Sequence, residues 1–279
     1  MNRTILIRAL ICGALAVLTS FSVQAQSVTR TICDPAADSD TGSGTGYHKG
    51  LFFTWFELSQ GEDISDCKTK LGLFDDGRHI KVEWDMGETY NEDAVGGMGW
   101  AQGTADRKFD YNVTTLESNS ALQKALVAVY GWSCLEADGA NISQEYYIVE
   151  AWSGGGQFVP WDENANEGKG APATTNIAFD ANGGTYDVYK VGRNGAQYCF
   201  DGQDRKFEQI WSVRKKPIEL GQTNRIDFEL HANRWGDSDI GFLAGGLPNG
   251  YQILGAEIFG DANVRHSGTI EVQVWEPEE

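Results

Sequence analysis

Along much of the chain apolar and polar residues alternate with a period of two, the pattern of strands that bury one face. In the segment His79–Met86, Ile80, Val82, Trp84 and Met86 fall on one side and His79, Lys81, Glu83 and Asp85 on the other. The segments Glu145–Trp152, Thr185–Val191, Phe207–Arg214, Tyr251–Phe259 and Thr269–Trp275 read the same way. Clusters of Gly, Asn and Asp break the runs, as at Asp180-Ala181-Asn182-Gly183-Gly184. Many short strands punctuated in this manner predict an all-β sandwich or barrel. Two stretches have helical character, Ser118–Val127 with mixed periodicity and the short Phe228–Trp235, and at most one short helix is expected. Asp34–Gly46, polar and glycine-rich, reads as a loop. No internal repeat and no clear linker divides the chain, so one domain is expected. The 34 glycines and 6 prolines suit a tightly turned sheet protein.

The N-terminus departs from this pattern. Arg3 and Arg8 precede an apolar run from Ala9 to Val17, and Val23-Gln24-Ala25 supplies a small–x–small site. This reads as a secretory leader, residues 1–25, cleaved near Ala25, with 26–279 forming the single domain. The apolar run is too short to cross a bilayer, and no later stretch is long and apolar enough. The expected location is therefore extracellular or periplasmic, with no membrane association after cleavage.

The 279 residues carry 22 Lys+Arg against 40 Asp+Glu, a formal charge of −18. The leader holds Arg3 and Arg8 and no acid, so its removal leaves the remainder more acidic still. Such a surface repels nucleic acid and anionic lipid and suits a neutral substrate. Cys12 leaves with the leader; Cys33, Cys67, Cys134 and Cys199 remain, an even number in an oxidising compartment, which predicts two disulfides. With no CxxC or HExxH spacing, and with His48, His79, His231 and His266 scattered, neither a metal nor a cofactor is expected.

GxSxG elbows, Walker loops and convincing dinucleotide fingerprints are missing, so serine hydrolysis and nucleotide chemistry lack support. Carboxylates beside aromatics on strands remain. Alternation places Glu145, Tyr147 and Val149 on one face. A carboxylate there is costly on a dry face and reasonable in a wet cleft. Tyr251 and Glu257 also share a face, and Gly255 between them leaves room beside the sheet for a ligand. Glycoside hydrolysis uses such a pair: one carboxyl protonates the leaving oxygen, and the other attacks the sugar carbon or activates water. Sugar rings stack on aromatics, and the chain has nine Trp and ten Tyr. Taken alone, two strand glutamates so far apart in sequence fit solvated strand-edge residues more readily than a catalytic pair.

A set of local strings narrows the choice. Val95-Gly96-Gly97-Met98-Gly99-Trp100, Tyr130-Gly131-Trp132-Ser133, Glu145-Tyr146-Tyr147-Ile148-Val149-Glu150-Ala151-Trp152, Gly183-Gly184-Thr185-Tyr186-Asp187-Val188-Tyr189, Trp211-Ser212-Val213-Arg214 and Tyr251-Gln252-Ile253-Leu254-Gly255-Ala256-Glu257 occur in that order. Together they resemble the family 11 glycoside hydrolases, small endo-β-1,4-xylanases, from about Gly46 to Trp275. The resemblance implies a β-jelly-roll sandwich of two curved antiparallel sheets with a concave substrate cleft. It also implies xylan as substrate and retention of configuration through a covalent glycosyl-enzyme. By motif, Glu145 matches the nucleophile and Glu257 the acid/base. Tyr147, Tyr251 and Tyr130 match cleft tyrosines, Arg193 a supporting arginine, and Gln209 a glutamine near the nucleophile. Trp55 matches the tryptophan on which a xylose ring stacks, and Asp93 the residue that contacts the acid/base and sets its pH range.

Three departures stand out. The thumb segment Gly195-Ala196-Gln197-Tyr198-Cys199-Phe200 lacks the usual Pro-Ser-Ile tip. Cys134–Gln144, before the nucleophile, is long, and Ile258 follows the acid/base. Of the three possible cysteine connectivities, Cys33–Cys67 with Cys134–Cys199 is favoured, the second tethering the thumb. A non-catalytic sugar-binding jelly roll would not need both glutamates, and a β-glucanase on a related sandwich lacks a Glu-x-Asp-x-x-Glu string here. A monomer is expected. Asp75-Asp76-Gly77 reads as a turn and Arg214-Lys215-Lys216 as a solvated strand end. The glycosylation patterns at Asn112 and Asn141 matter only in a eukaryotic host.

Overall fold

The computed structural model describes residues 27–32, 41–58, 68–87, 93–137, 140–162, 171–172, 177–195, 198–200, 205–237, 239–260 and 264–277. In chain order the strands begin with β1 (Val28–Ile32), β2 (Thr41–His48), β3 (Leu51–Leu58), β4 (Thr69–Phe74), β5 (His79–Met86) and β6 (Asp93–Trp100). They continue with β7 (Lys108–Ser118), β8 (Ala125–Ala137), β9 (Ala140–Trp152), β10 (Trp161–Asp162), β11 (Ala171–Pro172) and β12 (Ile177–Ala181). The last are β13 (Gly184–Gly195), β14 (Arg205–Arg214), β15 (Thr223–Asp227), β16 (Gln252–Phe259) and β17 (His266–Trp275). One sheet has six strands in the order β1-β4-β5-β17-β7-β15, and a larger one has nine in the order β12-β13-β14-β9-β8-β16-β6-β3-β2. Among the described residues all pairings are antiparallel except β14 with β9, which run parallel. The strands β10 and β11 form a separate short pair.

The alternation seen in the sequence sorts side chains into two apolar clusters. The first joins Leu71, Ile80, Val82, Trp84, Tyr111 and Val272 of the six-stranded sheet to Phe53, Val127, Tyr146, Ile148 and Ala256 of the nine-stranded sheet, so it fills the space between them. The second includes Phe52, Tyr130, Trp132, Tyr147, Trp211 and Tyr251, which lie on the other face of the nine-stranded sheet. Strand β8 is consequently buried on both sides, without a break from Ala125 to Cys134. A sandwich needs only one buried face per sheet. Here the nine-stranded sheet carries a second, aromatic-rich buried cluster on its outer face.

The helix α1 spans Phe228–Trp235, as its spacing predicts, and buries Phe228, His231, Ala232 and Trp235 along one stripe. Ser118–Val127 is not helical: it ends β7, turns, and enters β8, which buries its apolar residues in a strand. Thr41–Gly46, expected as loop, begins the edge strand β2, held by its pairing with β3, and residues 34–40 lie outside the described residues. A 3₁₀ turn at Ala244–Asn249 packs beside β8, beyond the single short helix expected. The Asn182-Gly183 break joins β12 to β13 with both residues at positive φ, 49° and 68°, as a tight hairpin requires.

Arg214 is not a solvated strand end. It is buried and donates from Nη1 to Glu150 Oε2 at 3.0 Å. Tyr111 and Tyr186 donate to the same carboxylate at 2.6 and 2.5 Å. An acid in the inter-sheet core is tolerable only with such a full set of partners. Asp75-Asp76-Gly77 is the turn expected, closed by Gly77 N–H donating to Phe74 O at 3.1 Å.

Candidate active site

Strand register assembles the site. On β9, Glu145 and Tyr147 are opposed on one side by Trp132 and Tyr130 of β8. On the other side they are opposed by Gln209 and Trp211 of β14. Val191 of β13 is opposite Gln209, so Arg193, two residues on, shares that face. Ile253 of β16 is opposite Tyr130, which brings Tyr251 and Glu257 to the same side. Val95 of β6 is opposite Glu257, and Asp93 lies two residues before it. Eight of the nine residues singled out in the sequence thus share the outer face of the nine-stranded sheet.

Trp55 does not. It is 2% exposed and belongs to the cluster between the sheets. Its partner across β3 and β6 is Gly96, whose added Cβ would meet Val82 and Leu71 of the core. A sugar cannot stack on it there. The neighbouring Phe56, half-buried and opposite Val95, takes the cleft-side position. A one-residue offset in a strand moves a side chain to the opposite face.

The two glutamates occupy different surroundings. Glu145, 5% exposed, accepts from Tyr130 Oη at 2.5 Å through Oε1 and from Gln209 Nε2 through Oε2. The donors are themselves held. Gln209 Oε1 accepts from Arg193 Nε at 2.7 Å and from Trp211 Nε1 at 3.3 Å, and Tyr130 Oη accepts from Trp132 Nε1 at 3.1 Å. With both oxygens accepting, the arrangement favours the carboxylate. Burial pushes the Glu145 pKa up, and the donations from Tyr130, Gln209 and Tyr147, with the Arg193 charge, oppose that rise.

Glu257, 6% exposed, accepts from Tyr147 Oη at 3.2 Å, and among the described residues its buried Oε2 has no partner. Burial drives its pKa well above the usual carboxyl range, reinforced by the charges of Asp93 and Glu145. A carboxyl so placed keeps its proton. Asp93 is opposite Phe259 and therefore diagonal to Glu257. Its Oδ1 is also buried without a partner, and burial, then the Glu145 charge, pushes its pKa up to about 7.

Gly255 lines the hollow beside Glu257, Tyr147 and Tyr130, and it has a second role in strand packing. A Cβ on it would lie 2.3 Å from Gly96 O and 2.6 Å from Gly97 Cα, so it permits close approach of β6 and β16.

The sequence named Trp132 and Trp211 only as parts of strings. Trp211 stacks flat on Tyr147, with ring centroids 3.5 Å apart and an interplanar angle of 1°. Tyr251 packs 5.7 Å from Tyr130 and 5.9 Å from Phe52. The Cys134–Cys199 disulfide is present and fastens residues 198–200 to the end of β8. Cys33 and Cys67 lie outside the described residues.

The family model described as Glycosyl hydrolases family 11 matches residues 65–270. The chain belongs to that family. Among its relatives, endo-1,4-beta-xylanase 3 of Pyricularia oryzae is 29% identical over 217 residues, covering 78% of this chain and 75% of the relative. Endo-1,4-beta-xylanase A of Schizophyllum commune is 28% identical over 238 residues, covering 85% of this chain and 100% of the relative. A solved endo-1,4-beta-xylanase structure from Trichoderma reesei shares the fold, with a TM-score of 0.51 and 24% identity over 72% of this chain and 89% of that one. As a family 11 member the protein is a glycoside hydrolase, and its fold class is the jelly roll expected. Residues 1–26, which include the expected leader, lie outside the described residues, and no helix of the described part is long and apolar enough to cross a membrane.

Proposed function

We propose that the protein is a secreted endo-β-1,4-xylanase, released by cleavage near Ala25 and acting as a monomer, that hydrolyses xylan with retention of configuration. The observation that carries this reading is the asymmetry of the two carboxyls. Glu145 accepts at both oxygens, while Glu257 has a buried oxygen with no partner among the described residues. Two acids on one sheet face with pKa values set by different surroundings suit a nucleophile and an acid.

In the first step the Glu145 carboxylate attacks C1 of the sugar as the C1–O bond breaks. Glu257 gives its proton to the departing oxygen, which leaves as the hydroxyl of the shortened chain. In the second step the Glu257 carboxylate takes a proton from water, the resulting hydroxide adds to C1, and Glu145 is released as a carboxylate. Arg193 and Gln209 orient Glu145; Tyr147 stands between the two acids on the stacked Trp211; Tyr130 and Tyr251 line the sugar path. The names of the relatives from Pyricularia oryzae and Schizophyllum commune, both endo-1,4-beta-xylanases, support the substrate.

Reducing-sugar release from xylan, carboxymethyl-cellulose and mixed-linkage glucan tests the substrate. Xylan is expected to be cleaved at least about a hundredfold faster than either glucan, since the extra hydroxymethyl of glucose must fit a site built for its absence. Faster release from mixed-linkage glucan contradicts the reading. Binding of xylan without any release points to a sugar-binding module instead.

A further inference from the structure

The segment 198–200 is held against the same sheet face that carries the two glutamates. Cys199, almost fully buried, is bonded to Cys134, four residues beyond Tyr130 on the same face of β8, with Cα atoms 5.6 Å apart. Phe200, the next residue, packs against the cleft-side cluster and has φ of 56°. A bulky side chain in the left-handed region persists only where surrounding contacts hold it. Tyr198, on the other side of the bridge, is 49% exposed. Its ring meets that of Tyr251 edge to face, with centroids 4.7 Å apart at 81°. Tyr251 in turn touches Tyr130, which donates to Glu145.

We propose that Tyr198 is a substrate-contacting, specificity-determining residue, offering its free ring to the sugar unit that lies beside Tyr251, and that the Cys134–Cys199 bridge fixes it there. A half-exposed aromatic ring packed on a cleft tyrosine has the amphipathic surface a sugar ring stacks on. The covalent anchor removes the cost of ordering the segment when substrate binds. The inference rests on the reading of the site as a xylanase, and the bridge acts through Tyr198 rather than on the chemistry.

Two measurements separate the inference from that reading. The first is calorimetric binding of xylohexaose to the Glu145→Gln protein with and without Tyr198→Ala, which needs no hydrolysis. Tyr198→Ala is expected to weaken binding about tenfold, and Tyr198→Phe to restore most of it. The second is the kinetics of otherwise unaltered protein on xylo-oligosaccharides of increasing length. Tyr198→Ala should raise KM about tenfold with kcat within about twofold, and shift the bonds preferentially cut. Cys199→Ser should raise KM similarly, and adding Tyr198→Ala to it should change little, because the two changes remove the same contact. Unchanged affinity, KM and cleavage pattern in Tyr198→Ala would overturn the inference. Tight, Tyr198-dependent binding by a protein that never cleaves xylan would overturn the functional reading while leaving the contact in place.

Discussion

Glu145→Gln is expected to lower kcat on xylan by roughly 10⁴-fold or more, the scale seen when a covalent nucleophile is removed. The side chain keeps its shape, so xylo-oligosaccharide binding should survive. Glu257→Gln should cost roughly 10²–10⁴-fold on xylan, the range for general acid–base catalysis. The two variants should part on an aryl xylobioside with a nitrophenolate leaving group. That group departs without a proton, so Glu257→Gln should retain a rapid first step and release a burst of nitrophenol. Glu145→Gln should release none, because C1 has nothing to attack it. The burst is read in a stopped-flow spectrophotometer, and equal losses in both variants would mean the roles of Glu145 and Glu257 are not distinct.

Asp93→Asn is expected to move the pH optimum upward by on the order of one unit. Asp93 has a pKa raised to about 7, by burial first and the Glu145 charge second, and Glu257 is raised well above its ordinary range. The sign follows from which proton leaves first. Activity needs Glu145 ionised and a proton that Glu257 gives up readily. As pH rises through the Asp93 pKa, the Asp93 anion appears beside Glu257 and binds that proton harder, so the donor weakens. Rate therefore falls on the alkaline side through Asp93, which holds the optimum acidic, at about pH 6 or below. Asparagine carries no such charge, and the limb then belongs to Glu257, still raised by burial and by Glu145. A pH–rate profile of both proteins on soluble xylan reads the shift, and coincident profiles would show that Asp93 does not influence Glu257. Among the described residues Asp93 Oδ1 and Glu257 Oε2 are buried with no hydrogen-bond partner, so the coupling between these acids runs through charge in a dry site rather than through a formed hydrogen bond.

Most of this site was legible because strand geometry is regular. Period-two alternation put Glu145 with Tyr147 and Tyr251 with Glu257 on common faces, and the sheet realises both. Trp55 was misplaced because Phe52-Phe53-Thr54-Trp55-Phe56 is apolar on both faces. With β3 packed on two sides, alternation vanishes and a one-residue error leaves no trace in the sequence. The parallel pairing of β14 with β9 brings Gln209 to Glu145 across 64 residues, and only the strings of the family pointed to it. Glu150 appeared in the sequence only as part of a family string. Its partners Tyr111, Tyr186 and Arg214 come from three separate strands, a convergence that no local pattern encodes. Tyr198 gave no signal, since its meaning depends on the Cys134–Cys199 bridge and on where Tyr251 sits.

The central claim is that Glu145 attacks the sugar directly and that Glu257 supplies and then recovers the proton. Proton NMR of the first products from xylohexaose, recorded before mutarotation, tests it most directly. Two successive inversions at C1 return the configuration of the substrate, so the β anomer should appear first and the α anomer only as mutarotation proceeds. Initial appearance of the α anomer would mean that water attacks in a single step, and the assignment of Glu145 as nucleophile would be wrong.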